Sequence, residues 1–490
     1  MTGRWTLTIV TVALAACTVD PQPEWEEVQQ VVAERTSQAV VWEQTQEDAA
    51  VIDSAVRGLL AGGLGRGESA QLAVLNNRRL QGTFEEVGVA KARIVQATLL
   101  SNPNLFYEAE FPVSSGRTGL EGMLMFFLSD AWIIPIRREF AQATAAATLL
   151  RVEAEIIDTA ADAVLAYNDV LFRQELLRIE AERLDIFQDA AGREKVRYDS
   201  GLADDHQVYD AEARAIEAQI QLARAERDLL QARAALAEVL NLAPEQADVR
   251  LTDELKLADD ELRTWDYQET VAYAFENRLD LAAARFNVER ADRAVDLEQA
   301  RIFDFVQVGV SHEGEVNGPQ FVGPAVRLEL PIFDQNQGEI ARMEYRRRQF
   351  KKDLQALEAH VRRQLRHLLA EIAFRRHHVR LYESQLYRLR ELAVEYTKKY
   401  AAIFRLPWPR VVRAREERLQ TRLEYVHSLW HLVSSEVLLE RALLGGGGLG
   451  RGHRRVHADI QADRAVDFDL LQRQLDVQLD PTLPRMERRD

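Results

Sequence analysis

The chain has 490 residues, 47% of them hydrophobic and 29% charged, the make-up of a folded protein rather than a disordered one. Its 62 Lys and Arg against 78 Asp and Glu leave a formal charge of -16, which argues against a nucleic-acid partner because phosphates require a positive surface. Mean hydropathy is -0.27, and beyond the N-terminus no run approaches the roughly 20 apolar residues of a membrane-spanning helix.

The first element is "MTGRWTLTIVTVALAAC": basic Arg4, an apolar run from Trp5, then small residues before Cys17. That is the layout of a secretory signal with its cleavage site, so 1–16 is expected to be a signal peptide. "LAAC", Leu14 to Cys17, resembles the bacterial lipoprotein box, which would make Cys17 the lipidated first residue of the mature chain. The alternative is an ordinary signal peptide with an incidental cysteine. As the only cysteine, Cys17 cannot form an intrachain disulfide. The polar, acidic stretch that follows makes 17–50 a lipid-anchored tether in this reading.

From there one plan occurs twice, over 51–242 and 243–444. In the first copy a helical pattern leads to strands at about 104–112 and 119–128, where Tyr107, Ala109 and Phe111 alternate with Glu108 and Glu110. In the second, "ENRLDLAAARFNVERADRAVDLEQA" leads to strands at about 304–312 and 321–330, where Val326, Leu328 and Leu330 alternate with Arg327 and Glu329. After each strand pair the rhythm becomes helical, from about Ile136 to Tyr198 and from about Gly338 to Tyr400, with no internal proline in either span. Heptad series run along both: Leu165, Phe172, Ile179, Ile186, and Leu365, Ile372, Val379, Leu386. At 1.5 Å per residue each helix would reach roughly 90 Å, too long for a compact domain. Turns at "RYDSGLADDH" and "KYAAIFRLPWPR" precede shorter return helices. After Leu444, "GGGGLGRGHRR" reads as a linker and 445–490 as a flexible tail.

Strands of this length cross a bilayer when tilted, and each has one apolar and one polar face. Four strands cannot close a barrel, and an open edge in lipid leaves backbone groups unsatisfied. Either the chain oligomerises or the sheet is soluble and packs on the helices. In the first case Glu108, Glu110, Glu121, Arg327 and Glu329 face a watery lumen, and Tyr107, Phe111, Val326, Leu328 and Leu330 face lipid.

The duplicated plan, together with "ENRLDLAAARFNVERA", "LELPIFDQNQGEIARMEY" and "RYDSGLADDHQVYDAEARAIEAQIQLARAERDLLQARAALAEVLNL", resembles the TolC-type outer-membrane efflux channel family over about Val51 to Leu444. The resemblance implies a mainly α fold with a small transmembrane β part. It implies a homotrimer whose 12-stranded β-barrel continues as a periplasmic α-helical barrel. It further implies outer-membrane lipid around the barrel, a periplasmic adaptor (membrane fusion) protein, an inner-membrane pump, and a passive exit duct for small solutes, heavy-metal cations or drugs among them. A type I protein-secretion duct and a periplasmic coiled-coil scaffold or adaptor lipoprotein are the alternatives. The family gates its tunnel at the tips, which makes Tyr198, Asp204, Asp205, Tyr400 and Arg405 the gate candidates. At the first tip Asp204 stands where the family usually has Ser or Thr; the second tip has Ile403 in place of a glycine and inserts Pro407 and Pro409.

No enzyme is expected. Walker, G-x-S-x-G and H-E-x-x-H motifs are absent from the sequence, and no cofactor is implied. His360, His367, His377 and His378 lack the i, i+4 pairing that puts two imidazoles on one ion, so no metal site is assigned to them. Met123 and Met125 share a strand face with Glu121, where thioethers suit soft ions but serve more often as apolar filler.

Overall fold

The computed structural model describes residues 19–36, 38–114, 116–243, 246, 248–255, 266–403 and 405–445. Cys17, the signal segment and the tail beyond Gly445 lie outside them. Helices α1 (Gln22–Thr36), α2 (Gln46–Ala61), α3 (Arg66–Asn76) and α4 (Arg78–Thr98) precede strands β1 (Asn104–Glu110) and β2 (Gly119–Phe127). Next come α5 (Asp130–Asp199) and α6 (Asp205–Val239), then α7 (Tyr267–Asn277), α8 (Leu279–Ala300), β3 (Val306–Glu315) and β4 (Gln320–Leu328). The chain continues through α9 (Gln337–Leu381), a π-helical turn (Tyr382–Leu386), α10 (Tyr387–Ala402) and α11 (Pro409–Leu444). No helix among the described residues is long and apolar enough to cross a membrane.

The four strands form one antiparallel sheet in the order β1-β2-β3-β4, so the two copies of the plan contribute adjacent hairpins. The second hairpin differs from expectation: β3 runs on to Glu315, and the turn is the short Val316–Pro319 segment, where Asn317 adopts φ 60°. Its Asn-Gly pair supplies the positive φ that such a turn needs.

Each hairpin feeds a long helix. α5 has 70 residues and starts six residues earlier than expected, taking in Pro135. A proline that close to the N-terminus forfeits only one intrahelical bond, which is why it does not end the helix. The seam Leu165, Phe172, Ile179, Ile186 is buried. The second long helix is not the unbroken span expected from Gly338 to Tyr400. Leu365, Ile372 and Val379 are buried at intervals of seven, but the next buried residue is Val394, fifteen further on. The π turn between them takes up the one residue in excess of two heptads.

Toward the sheet the helices pack in the order α4-α5-α8-α9; toward the far ends the order is α6-α5-α11-α10. The return helix α6 lays Val208, Ala218, Ala232 and Leu236 along α5, and its small residues permit close approach. The two helix breaks before the strands use one device. Asn76 Nδ2 donates to the Leu240 and Asn241 carbonyls at the end of α6, at 2.8 and 2.9 Å. In the second copy Arg278 donates to the Ala442 carbonyl near the end of α11 at 2.7 Å. Each return helix thus has its orphan C-terminal carbonyls satisfied by the break in its own repeat.

The N-terminal stretch is not a free tether. α1 buries Trp25, Val28 and Val32 against Trp42, Phe84, Val87, Val152 and Ile156, with the Trp25 ring 4.8 Å from Phe84. A narrow apolar stripe in an otherwise acidic helix keeps the segment polar on average while giving it one face to bury. Glu24 pairs with Lys91 at 2.7 Å, and Arg35 reaches the Asn277 carbonyl in the second copy at 2.6 Å.

Candidate functional site

The strand register sorts the side chains onto two faces, since residues directly opposite one another point the same way. On one face lie Leu105, Tyr107, Leu124, Phe126, Val308, Val310, Val322, Val326 and Leu328, and most of them are exposed. The other carries Glu108, opposite Glu121, which is itself opposite Glu313. Glu110 and Glu315 flank Gly119 in the next row, and Arg327 lies opposite Gln307 toward the helices. Glu108, Glu110, Glu121 and Arg327 therefore share one face; Glu329 lies just past the end of β4, its N–H donating to the Phe305 carbonyl at 3.3 Å. Sequence alternation did not single out Glu313 and Glu315, because they fell in the expected turn. Like charges directly opposite are destabilising, and among the described residues only Glu315 has a basic partner, Arg117 at 3.3 Å. Met123 and Met125 sit on this face too. Met125 is buried and packs where a Cβ on Gly309 would meet its sulfur at 2.8 Å, the role of apolar filler.

Both sheet edges, β1 and β4, have no strand beyond them among the described residues. The helical flanks match: α6 buries one seam and α10 buries Val394, and each exposes apolar residues on another side. On α6 the open seam is Tyr209, Ile216, Ile220 and Leu230; on α10 it is Leu389, Leu392, Tyr396 and Ile403. The α10 series steps by three, four and seven, and the α6 series by seven, four and then ten, a heptad plus three, which keeps to the spacing of coiled-coil contacts.

At the first tip α5 ends where Gly201 takes φ +71° and Leu202 N–H donates back to the Arg197 carbonyl at 2.8 Å, a glycine-dependent helix stop. Asp204 is the N-cap of α6, and its N–H donates to Gln207 Oε1 at 3.3 Å. The Tyr198 hydroxyl hydrogen-bonds Asp205, and that carboxylate pushes the phenol above its ordinary range. At the second tip Arg405 N–H donates to the Tyr400 carbonyl at 2.9 Å. Within one copy neither Tyr400 nor Arg405 bonds to Asp204 or Asp205, so the gate candidates form two separate groups.

The two copies are instead joined by residues the sequence reading passed over. Trp408, between the two tip prolines, has the Arg193 guanidinium 4.0 Å from its ring centroid and Arg415 at 5.9 Å. Glu175, Glu182 and Asp189, spaced by seven along α5, face Arg422, Arg418 and Arg415 on antiparallel α11. Arg422 meets Glu175 at 2.5 Å and Glu182 at 3.4 Å; Arg415 lies 3.8 Å from Asp189. The seven-residue spacing of these acids was the available signal. Nearer the sheet, Arg441 binds Asp158 and Asp162 at 2.6 and 2.8 Å, and burial pushes Asp158 up to about 6. Among the described residues no group of three or more His, Cys, Asp or Glu is placed to hold a metal ion.

No model of a known protein family matches the chain. The cobalt-zinc-cadmium resistance protein CzcC of Cupriavidus metallidurans is 27% identical over 289 residues, 57% of this chain and 66% of that protein, so the match spans just under two thirds of its relative. The outer-membrane channel OprN superposes with a TM-score of 0.64 at 16% identity, over 84% of this chain and 94% of that one. The outer membrane protein VceC of Vibrio cholerae gives 0.60 at 17% identity, over 81% and 97%. A mostly helical chain with one small four-stranded sheet is what these channels share with it. The chain therefore has the fold of these outer-membrane channels.

Proposed function

We propose that this protein is the outer-membrane exit duct of a tripartite efflux system. Three copies close its sheet into a 12-stranded barrel and its helices into a periplasmic tunnel. The observation that carries the reading is the matched pair of open edges: β1 and α6 on one flank, β4 and α10 on the other. Unlike edges on opposite flanks pair head to tail, and a head-to-tail contact closes into a ring when its rotation permits. Closure also removes the unsatisfied strand edges, a condition for a sheet to live in lipid. The apolar face then meets lipid, and the glutamate face lines a lumen that favours cations.

The duct does no chemistry of its own; energy comes from an inner-membrane pump joined through a periplasmic adaptor. The similarity to a cobalt-zinc-cadmium resistance protein supports small cations, heavy-metal ions among them, as the solute class. Cys17 serves as the lipid anchor, a role supported by "LAAC". Tyr198, Asp204 and Asp205 form one half of the periplasmic gate and Tyr400 and Arg405 the other, meeting between neighbouring copies rather than within one.

Paired cysteines test the closure. Ile216 and Leu392 lie at similar distances from their helix ends at the tips, so Ile216→Cys with Leu392→Cys is expected to give a covalent trimer in membranes under mild oxidation, resolved by a reducing agent. Cross-linking confined within single chains would refute head-to-tail closure.

A further inference from the structure

A cavity of about 610 Å³ opens where the π turn meets α5 and α11. That volume falls in the range of small-molecule sites, roughly 300–1,000 Å³. Leu171, Val426 and Leu429 form its apolar floor. Tyr382, Tyr387 and Tyr425 stand around it with Glu254 and Glu383.

The π turn creates one wall. In an unbroken α-helix, residues five apart diverge by about 140°. Here Tyr387 N–H donates to the Tyr382 carbonyl, an i to i+5 bond, which brings the two rings onto one side. The Tyr425 ring meets Tyr382 from α11, with centroids 6.3 Å apart at 68°. Three tyrosines thus line a space that is open on the remaining side.

The charges are unbalanced. Arg178 and Arg422 line the cavity, but both already bind Glu175, at 2.9 and 2.5 Å, and Arg422 also binds Glu182 at 3.4 Å. Among the described residues Glu383 accepts only the Tyr425 hydroxyl, at 2.8 Å. Asp253 accepts the Tyr167 hydroxyl at 3.0 Å and the Arg66 N–H at 2.8 Å, and Glu254 has no ion pair among the described residues. Among the described residues, three carboxylates therefore lack a cationic partner. They are too dispersed to share a metal ion, whereas a bulky ammonium can satisfy aromatic faces at contact and carboxylates at longer range.

We propose that this cavity is a binding site for a small organic cation, a quaternary or protonated amine held by the three tyrosines and the surplus carboxylates. The site lies at the junction of the two repeats, away from the sheet, and does not depend on the transport reading.

Isothermal titration calorimetry of the full chain in detergent tests it, with tetraethylammonium as the probe and glutarate as an anion of similar size. The expected result is saturable binding of tetraethylammonium and none of glutarate. Tyr387→Leu is expected to weaken it about tenfold, the worth of one aromatic face on a partly desolvated cation. Tyr387→Phe keeps the face and is expected to bind as the parent does. Glu254→Gln, on an exposed loop that tolerates the change, is expected to weaken binding severalfold, and more so combined with Glu383→Gln. No saturable heat up to about 10 mM probe, equal binding by all variants, or a preference for glutarate would overturn the proposal.

Discussion

Arg278 is 1% exposed, yet it carries a full charge into the interior. Its guanidinium grips Asp280 at 2.9 and 2.6 Å, Gln364 Oε1 at 3.1 Å and the Ala442 carbonyl at 2.7 Å. That accounts for the "RLDL" motif: the arginine ties the helix break to α9 and α11, and the aspartate neutralises it. Arg278→Ala strands the Asp280 carboxylate and a helix-end carbonyl and is expected to cost about 3–5 kcal/mol, read from denaturant unfolding of the detergent-solubilised chain. Glu153 is the opposite case. It is buried on α5 under α1 with Oε2 unpartnered, and burial pushes it up to about 7, eased by Arg35 and reinforced by Glu27. Because its folded pKa is raised, the folded state holds the extra proton between about 4.5 and 7, and stability falls as pH rises through that window. Glu153→Gln is therefore expected to raise the melting temperature at pH 8, by the equivalent of about 1–3 kcal/mol, and to change little at pH 5. Equal shifts at both pH values would count against a charged Glu153 at pH 8. The Arg278 motif was visible in the sequence as a resemblance but not as a contact. Glu153 was not visible, because its burial depends on α1 packing down rather than hanging free.

Among the elements, α5 and α11 form the seam between the repeats. Its acidic and basic rungs are about a third exposed, so each pair is worth at most about 1 kcal/mol. A double-mutant cycle measures this directly: Arg418→Glu sets like charges opposite Glu182 and is expected to destabilise by about 1 kcal/mol, and adding Glu182→Arg is expected to recover most of it. Recovery would fail if the two side chains did not meet. The helices and strands themselves were legible from their periods, because an alternating strand running into a heptad helix has few other readings. Three features were not. The π turn is one residue in excess of a heptad series, which a count of apolar positions hides because Leu386 continues the series in sequence while the next buried residue is Val394. The end of β3 was masked by Gly314, which reads as a turn residue although the actual turn is built on Asn317 and Gly318. The second tip looked only divergent, yet its inserted Trp408 reaches back to Arg193 on α5, a contact no local pattern announces.

At the scale of the whole molecule, the proposed ring rests on the open strand edges β1 and β4 and on the exposed apolar residues of α6 and α10. On one face of the sheet Glu108, Glu121 and Glu313 form a row across three strands. In a trimer that row repeats three times around the lumen. Replacing all three with Gln is expected to leave the assembly intact and move the reversal potential in a salt gradient toward zero, a loss of cation selectivity. The most direct test of the duct is single-channel recording in a planar bilayer, with the oligomer mass measured on the same detergent-extracted sample. The account predicts a trimer that gives discrete, cation-selective steps once the tips open. A monomer that stays soluble without detergent and carries no current would contradict it.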